Sequence, residues 1–373
     1  QLHYPNFKNK TLVQKDLANT LKIIASKGRK GFYEGEIAEK ISSEIKKNNG
    51  LISKSDLKNY SPVWREPLIS NYRDTEIITM GPPSSGGLHV IQMLNILENY
   101  DLKKFGHNSL EYINLLTEVM KFAYADRSKY LGDPDFYDVP IKKITSKKYA
   151  NDINKNIQIG KLTPVNEINP GKYMDGESHE TTHFSVVDKT GNVISMTYTL
   201  NSTFGSKVVI EGTGILMNNE MDDFSAAPGI PNQFNLLGAE ANEIAPFKRP
   251  LSSMTPTIVL KDKELFFTTG SPGGARIISA VLQSIVNIID FNMNLEDTTA
   301  AKRIHHQWYP DILEYEFTLD NTIEKNLKKM GYKTESKLPL TCLQTIMFSD
   351  GMYYGYGDFR RVDALASGNI NDW

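Results

Sequence analysis

Thr181 and Thr182 stand between a very polar run, Asp175-Gly176-Glu177-Ser178-His179-Glu180, and a stretch of alternating character, His183-Phe184-Ser185-Val186-Val187-Asp188. A threonine hydroxyl is a weak nucleophile until a base takes its proton. If the chain is cut before Thr181, that residue gains an α-amino group with a pKa near ~8 by reference values, well placed to accept the hydroxyl proton. The cut can use the same hydroxyl: Thr181 Oγ attacks the adjacent Glu180 carbonyl, the acyl group moves from N to O, and water hydrolyses the ester. A polar loop leading into a strand-opening threonine is what such chemistry needs. It is also what an ordinary sheet offers, because β-branched residues commonly begin strands.

Four polar clusters follow. They are Thr197-Tyr198-Thr199-Leu200-Asn201, Asn218-Asn219-Glu220-Met221-Asp222-Asp223-Phe224-Ser225, Lys248-Arg249-Pro250-Leu251-Ser252-Ser253-Met254 and Thr269-Gly270-Ser271-Pro272-Gly273-Gly274. Taken with the Thr181 segment, in this order and spacing, they closely resemble the γ-glutamyltransferase (γ-glutamyltranspeptidase) family of N-terminal nucleophile hydrolases, in a bacterial form. The resemblance runs from about Leu12 to the C-terminus. It implies cleavage between Glu180 and Thr181, with Thr181 as nucleophile and its amine as base, and Thr199 as the hydroxyl that orients it. Asn201, Glu220 and Asp223 would hold a substrate ammonium, since two carboxylates and an amide carbonyl suit three N–H donors. Ser252 and Ser253 would hold the α-carboxylate. Gly273 and Gly274 would form an oxyanion hole, where missing side chains let backbone amides come close. Pro228–Ala239 would be a lid with Phe234 at its tip.

The implied substrates are glutathione and other γ-glutamyl compounds, with amino acids, peptides or water as acceptors and no cofactor. Two other readings stand beside this one. The first is a relative of the same fold that acts on poly-γ-glutamate or glutaryl amides. The second is an inactive, unprocessed remnant. The family's large subunit also carries, near its start, an Arg that pairs with the substrate carboxylate, and neither Arg65 nor Arg73 lies in that context. The chain therefore reads as starting partway through the large subunit, with residues 1–180 its C-terminal part and 181–373 the small catalytic subunit. The two subunits would form a heterodimer, periplasmic or secreted, the signal peptide being lost with the missing start.

Composition agrees. The chain has 373 residues, with 42 basic against 44 acidic and a net charge of −2, which disfavours nucleic-acid binding driven by bulk charge. The single cysteine, Cys342, excludes an intrachain disulfide framework and reads as a small core residue. No run approaches the ~20 apolar residues of a membrane span. His305-His306-Gln307-Trp308 invites a metal reading, which is rejected because adjacent ligands cannot share a helix face and no acidic partner lies at chelating spacing.

The elements that must position these residues fall into two halves. Helical periodicity marks Asp16–Ile24, Glu34–Ile45, Leu88–Glu98 and Leu110–Tyr130, with short strands at Trp64–Tyr72 and Glu76–Met80. The turn 81–87, with Gly86-Gly87, could cradle an anion or simply join strand to helix. Hairpins follow at Thr182–Asp188/Asn192–Leu200, Thr257–Leu260/Leu265–Thr269 and Leu343–Phe348/Met352–Tyr356. A helix between Gly274 and Asp290 is apolar nearly all round and should be covered on both sides. The class expected is α+β. The resemblance sharpens this to a four-layer αββα sandwich, two stacked antiparallel sheets between helical layers.

Overall fold

The computed structural model describes residues 12–168, 181–225, 238–339, 341–362 and 364–368. In chain order the strands are β1 (Leu68–Tyr72), β2 (Thr75–Thr79), β3 (Thr182–Val187), β4 (Val193–Tyr198), β5 (Val209–Ile210), β6 (Ile215–Leu216), β7 (Thr257–Lys261), β8 (Glu264–Thr269), β9 (Ile304–His305), β10 (Leu313–Glu316), β11 (Thr334–Lys337), β12 (Gln344–Ser349) and β13 (Met352–Gly357). Packing divides the chain into two compact units, Gln1–Trp64 with Phe204–Asn219, and Arg65–Thr203 with Glu220–Trp373.

The smaller unit joins the amphipathic helices Lys15–Lys27 and Gly35–Lys47 to the β5–β6 hairpin. Its core is Ile37, Ile41 and Ile210, with Ile23, Phe32 and Ile45 against them. Gly214 has a left-handed φ of 69°, and a Cβ there would lie 2.8 Å from the Leu17 amide nitrogen, so only glycine lets the hairpin close on the first helix.

In the larger unit β1, β2, β7, β8, β12 and β13 form, in that order, an antiparallel sheet. Ile77, Val259, Phe267 and Met347 are successive cross-strand partners, so they make one row on one face. That row shares a core with the helices Gly86–Leu97, Leu110–Tyr130 and Arg276–Ile289. Every residue from Arg276 to Ile288 is buried, which matches a helix apolar nearly all round.

The ribbon β3–β4 packs against β7, β8 and β12. Its polarity is the reverse of a simple core strand. His183, Ser185, Ser195 and Thr197 share one face, while Phe184, Val186, Ile194, Met196 and Tyr198 are 39–55% exposed on the other. The polar face is hydrogen-bonded: His183 Nδ1 to Thr197 Oγ1 at 2.8 Å, Ser195 Oγ to the Thr269 carbonyl at 3.3 Å and Ser185 Oγ to the Gln344 carbonyl at 3.4 Å. A Cβ on Gly270 would stand 2.1 Å from the His183 ring, so the glycine lets the ribbon seat.

One expectation is corrected. The strand read at Trp64–Tyr72 begins at Leu68, because Pro67 cannot donate to a ladder and Trp64 is 99% exposed. The sheet β11-β10-β9, in which β10 and β11 run parallel, was not anticipated. Its strands have two to four residues, too few to show a period.

Candidate active site

The β3–β4 register pairs Thr182 with Tyr198 and His183 with Thr197. One step further along, the same register sets Thr181 beside Thr199. Thr181 is 8% exposed and lines a narrow cavity together with Thr199, Asn201, Glu220, Asp223 and Ser253. Arg127, Ser252 and Gly274 also line it, with Leu251, Met254, Ala275 and Ile277, whereas Gly273 is not among the lining residues. Thr197, two residues before Thr199 on the same face of β4, bonds His183 Nδ1 and is not among the residues lining the cavity. Glu180 and Phe234, expected at the cleavage bond and at the tip of a lid, lie outside the described residues.

Each wall has its own local cause. Asn201 sits just beyond β4 with a left-handed φ of 74°, a conformation asparagine tolerates, and its amide donates to Thr199 Oγ1 at 2.8 Å. Its side-chain Nδ2 donates to Asp223 Oδ1 at 3.0 Å. Glu220 to Asp223 make a single 3-10 turn. Of the apolar residues in and beside this turn, Phe224 is buried at 5% exposure, while Met221 is 61% exposed. Asn242 fixes the turn: its Nδ2 donates to the Asp223 carbonyl at 2.7 Å, and its Oδ1 accepts the Leu251 amide at 3.0 Å.

The serine wall is stitched to the 81–87 turn. Ser85 N donates to the Ser252 carbonyl at 2.8 Å, Ser252 N to the Pro83 carbonyl at 3.0 Å, and Ser84 Oγ to the Met254 carbonyl at 2.6 Å. A Cβ on Gly86 would meet Thr255 Oγ1 at 2.1 Å, so that glycine serves close approach of two backbones. Gly273 and Gly274 have φ of 133° and 55°, conformations open to glycine, and their carbonyls accept the amides of Arg276 and Ile277 at the head of Arg276–Ile289. Ser271 Oγ accepts the Cys342 amide at 3.1 Å and ties this turn to the start of β12. Cys342 is 2% exposed, and burial pushes its thiol up to about 11, which fits a small core residue rather than a nucleophile.

Burial controls the acidic side. Desolvation raises the Glu220 carboxyl to about 7. Desolvation, and then the Glu220 charge, push Asp223 up to about 8, against the Asn201 hydrogen bond and the Arg127 charge. Facing them, Arg127 is 3% exposed and donates to Ser85 Oγ at 2.9 Å and Ser253 Oγ at 3.0 Å. Burial lowers it to about 10.

A family model described as gamma-glutamyltranspeptidase matches residues 5–368. The chain belongs to the gamma-glutamyltranspeptidase family. It is similar to the glutathione hydrolase proenzyme of Escherichia coli (strain K12), 51% identical over 365 residues, which cover 98% of this chain and 63% of that relative. The glutathione hydrolase proenzyme of Pseudomonas sp. (strain A14) is 42% identical over 368 residues, covering 96% and 64%. The chain thus spans under two thirds of the length of these relatives. A solved cephalosporin acylase from Bacillus halodurans has a TM-score of 0.80 at 27% identity, covering 93% of this chain and 61% of that one.

For a gamma-glutamyltranspeptidase family chain the reading from sequence overlooked two residues, Arg127 and Asn242. Each acts only through partners distant in sequence. His305 and His306 are fully buried: His305 bonds Ser279 and Gln307, and His306 bonds Asp311 and the Trp308 amide. Arg65 pairs with Asp133 and Asp135, and Arg73 with Asp290.

Proposed function

We propose that the intact protein is a γ-glutamyltransferase and hydrolase that cuts itself between Glu180 and Thr181. The observation that carries this is the charge arrangement round Thr181: Asp223, Glu220 and Asn201 on one wall, and Ser252, Ser253 and Arg127 on another. A γ-glutamyl group ends in an α-ammonium and an α-carboxylate, and the two walls complement these in sign.

In this reading the Thr181 amine takes the proton of its own hydroxyl, and Oγ attacks the γ-carbonyl. The oxyanion develops at the Gly273-Gly274 turn, at the positive end of the helix Arg276–Ile289. The protonated amine gives its proton to the departing amine, and the γ-glutamyl-Thr181 ester passes to water or to an amino acid or peptide. Thr199 orients the nucleophile. Glutathione fits as donor.

Cleavage would leave residues 1–180 and 181–373 joined. β2 belongs to the first piece and β7 to the second, yet they pair over five residues in one sheet, so neither piece can leave without breaking that ladder. In a four-layer sandwich the open apolar face of β3–β4 lies against a further helical layer. No helix among the described residues is long and apolar enough to cross a membrane. The periplasmic or secreted location is part of the proposal.

The likeness to a cephalosporin acylase favours a second reading, glutaryl-type acyl groups. Against it stand Glu220 and Asp223, whose carboxylates a glutaryl group, having no ammonium, would leave without a counter-charge. The test is N-terminal sequencing after expression of the intact protein. We expect two bands, the smaller beginning at Thr181, and turnover of γ-glutamyl-p-nitroanilide. Thr181→Ala should stay one chain without turnover, and cleavage of that variant at the same bond would remove the self-processing mechanism.

A further inference from the structure

Arg127 lies in the last turn of the helix Leu110–Tyr130, and its side chain is buried against the serine wall. Arginine is donor-only, with five N–H groups in a rigid fork. Two of its nitrogens are fixed: Nε on Ser85 Oγ at 2.9 Å and Nη2 on Ser253 Oγ at 3.0 Å. No carboxylate among the described residues pairs with it.

The consequence lies in the serine protons. Each hydroxyl has one proton and can accept with its lone pairs. Ser85 accepts from Arg127 and sends its proton to the Ser252 carbonyl at 2.8 Å. Ser253 also accepts from Arg127, but its proton has no acceptor among the described residues, and Ser253 lines the cavity. The fork therefore does two things at once. Through Ser85 it holds the Ser252 backbone from behind, and through Ser253 it leaves an O–H able to donate into the cavity. A hydroxyl that accepts from a cation is also a stronger donor, because polarisation along a hydrogen-bonded chain is cooperative.

We propose that Arg127 is a positioning residue for the substrate α-carboxylate, acting through Ser253 and, by way of Ser85, through Ser252. This rests on the γ-glutamyl reading above. It adds a specificity determinant on the carboxylate side, set against Asp223 on the ammonium side. Arginine rather than lysine is required, since a single ammonium cannot hold two hydroxyls in the fixed fork geometry.

The test compares γ-glutamyl-p-nitroanilide with 4-aminobutanoyl-p-nitroanilide, which keeps the amine and lacks the α-carboxylate, using the intact, self-processed protein. Arg127→Lys should lower kcat/KM on the first about 10- to 100-fold, chiefly through KM, and on the second less than about threefold. In a Ser253→Ala background the same substitution should add no more than the smaller loss expected of Ser85→Ala, because only the route through Ser85 to Ser252 remains. Ser85→Ala should show the same substrate preference in smaller measure, and it carries the test if Arg127→Lys does not fold. Equal losses on both substrates, or losses that multiply fully with Ser253→Ala, would overturn the proposal. Wild-type protein that self-cleaves but does not turn over γ-glutamyl-p-nitroanilide would contradict the functional reading instead.

Discussion

Arg303, Glu316, Asp358 and Arg360 form a closed set of buried charges, whereas Arg127 and Asp223 face one cavity without meeting. In the first set Arg303 reaches Asp358 at 2.9 Å and Glu316 at 3.8 Å, and Arg360 reaches Glu316 at 2.7 Å and Asp358 at 3.1 Å. Each cation has two anions and each anion two cations. Asp358 Oδ2 also accepts the Leu343 amide at 2.8 Å, so the set fixes the entry to β12. At the cavity, Asp223 accepts an amide of Asn201 and Arg127 donates to hydroxyls. Neither has an ion-pair partner among the described residues. A closed set serves the fold, because burying charge costs several kcal/mol unless it is paired. Opposite charges kept apart in one cavity would suit a ligand that carries both signs, as the proposed substrate does.

The largest expected effect breaks the closed set. Glu316→Ala leaves Arg303 and Arg360 short of an anion and should cost about 3–5 kcal/mol of stability, read by chemical denaturation. Asp223→Ala should cost far less stability, or none, since it removes a carboxylate that burial already disfavours. If both variants lose stability equally, the two sets do not differ as described.

The second effect is on pH. Asp223 and Glu220, at about 8 and about 7, both titrate above the ~4 of an unfolded carboxylate. A carboxylate raised in this way contributes stability that is fully present below pH ~4 and is lost as pH rises through the folded values. Wild-type protein should therefore lose stability relative to Asp223→Asn as pH rises from about 5 to about 8. Activity on γ-glutamyl-p-nitroanilide should rise over the upper part of that range, as the ammonium site ionises, and the rise should be blunted in Asp223→Asn. A constant stability difference between the two proteins would contradict the assignment of burial as the cause.

The smallest effect concerns the frame between the walls. Asn242→Ala removes one bond to the Asp223 carbonyl and one from the Leu251 amide. About 1–3 kcal/mol of stability should be lost, with activity on γ-glutamyl and glutaryl anilides falling together. A change confined to one of the two substrates would move Asn242 from the frame into the ammonium site.

What could be read from sequence follows the range of the interactions. The register that sets Thr181 beside Thr199 was legible in the hairpin read at Thr182–Asp188/Asn192–Leu200, because a short turn between alternating strands fixes the pairing. The ribbon's reversed polarity was not, since alternation shows two faces and not which one meets the next sheet. Arg127 was hidden for a similar reason. A basic residue in the last turn of a helix is what the helix dipole favours on any solvated surface, and only the serines brought across the fold by the 81–87 turn give it a different role. The same long-range dependence hid Asn242.

The central claim is that charges kept apart at this cavity recognise a zwitterion, and Asp223 tests it most directly. The quantity is the ratio of kcat/KM on γ-glutamyl-p-nitroanilide to that on glutaryl-p-nitroanilide, measured for the intact protein and for Asp223→Ala. Removing one partner of a buried charged hydrogen bond costs about 2–5 kcal/mol, so the ratio should fall some 30- to several-thousand-fold. General damage to the fold would lower both rates and leave the ratio alone. An unchanged ratio in a protein that still self-cleaves would place the ammonium elsewhere and contradict the account.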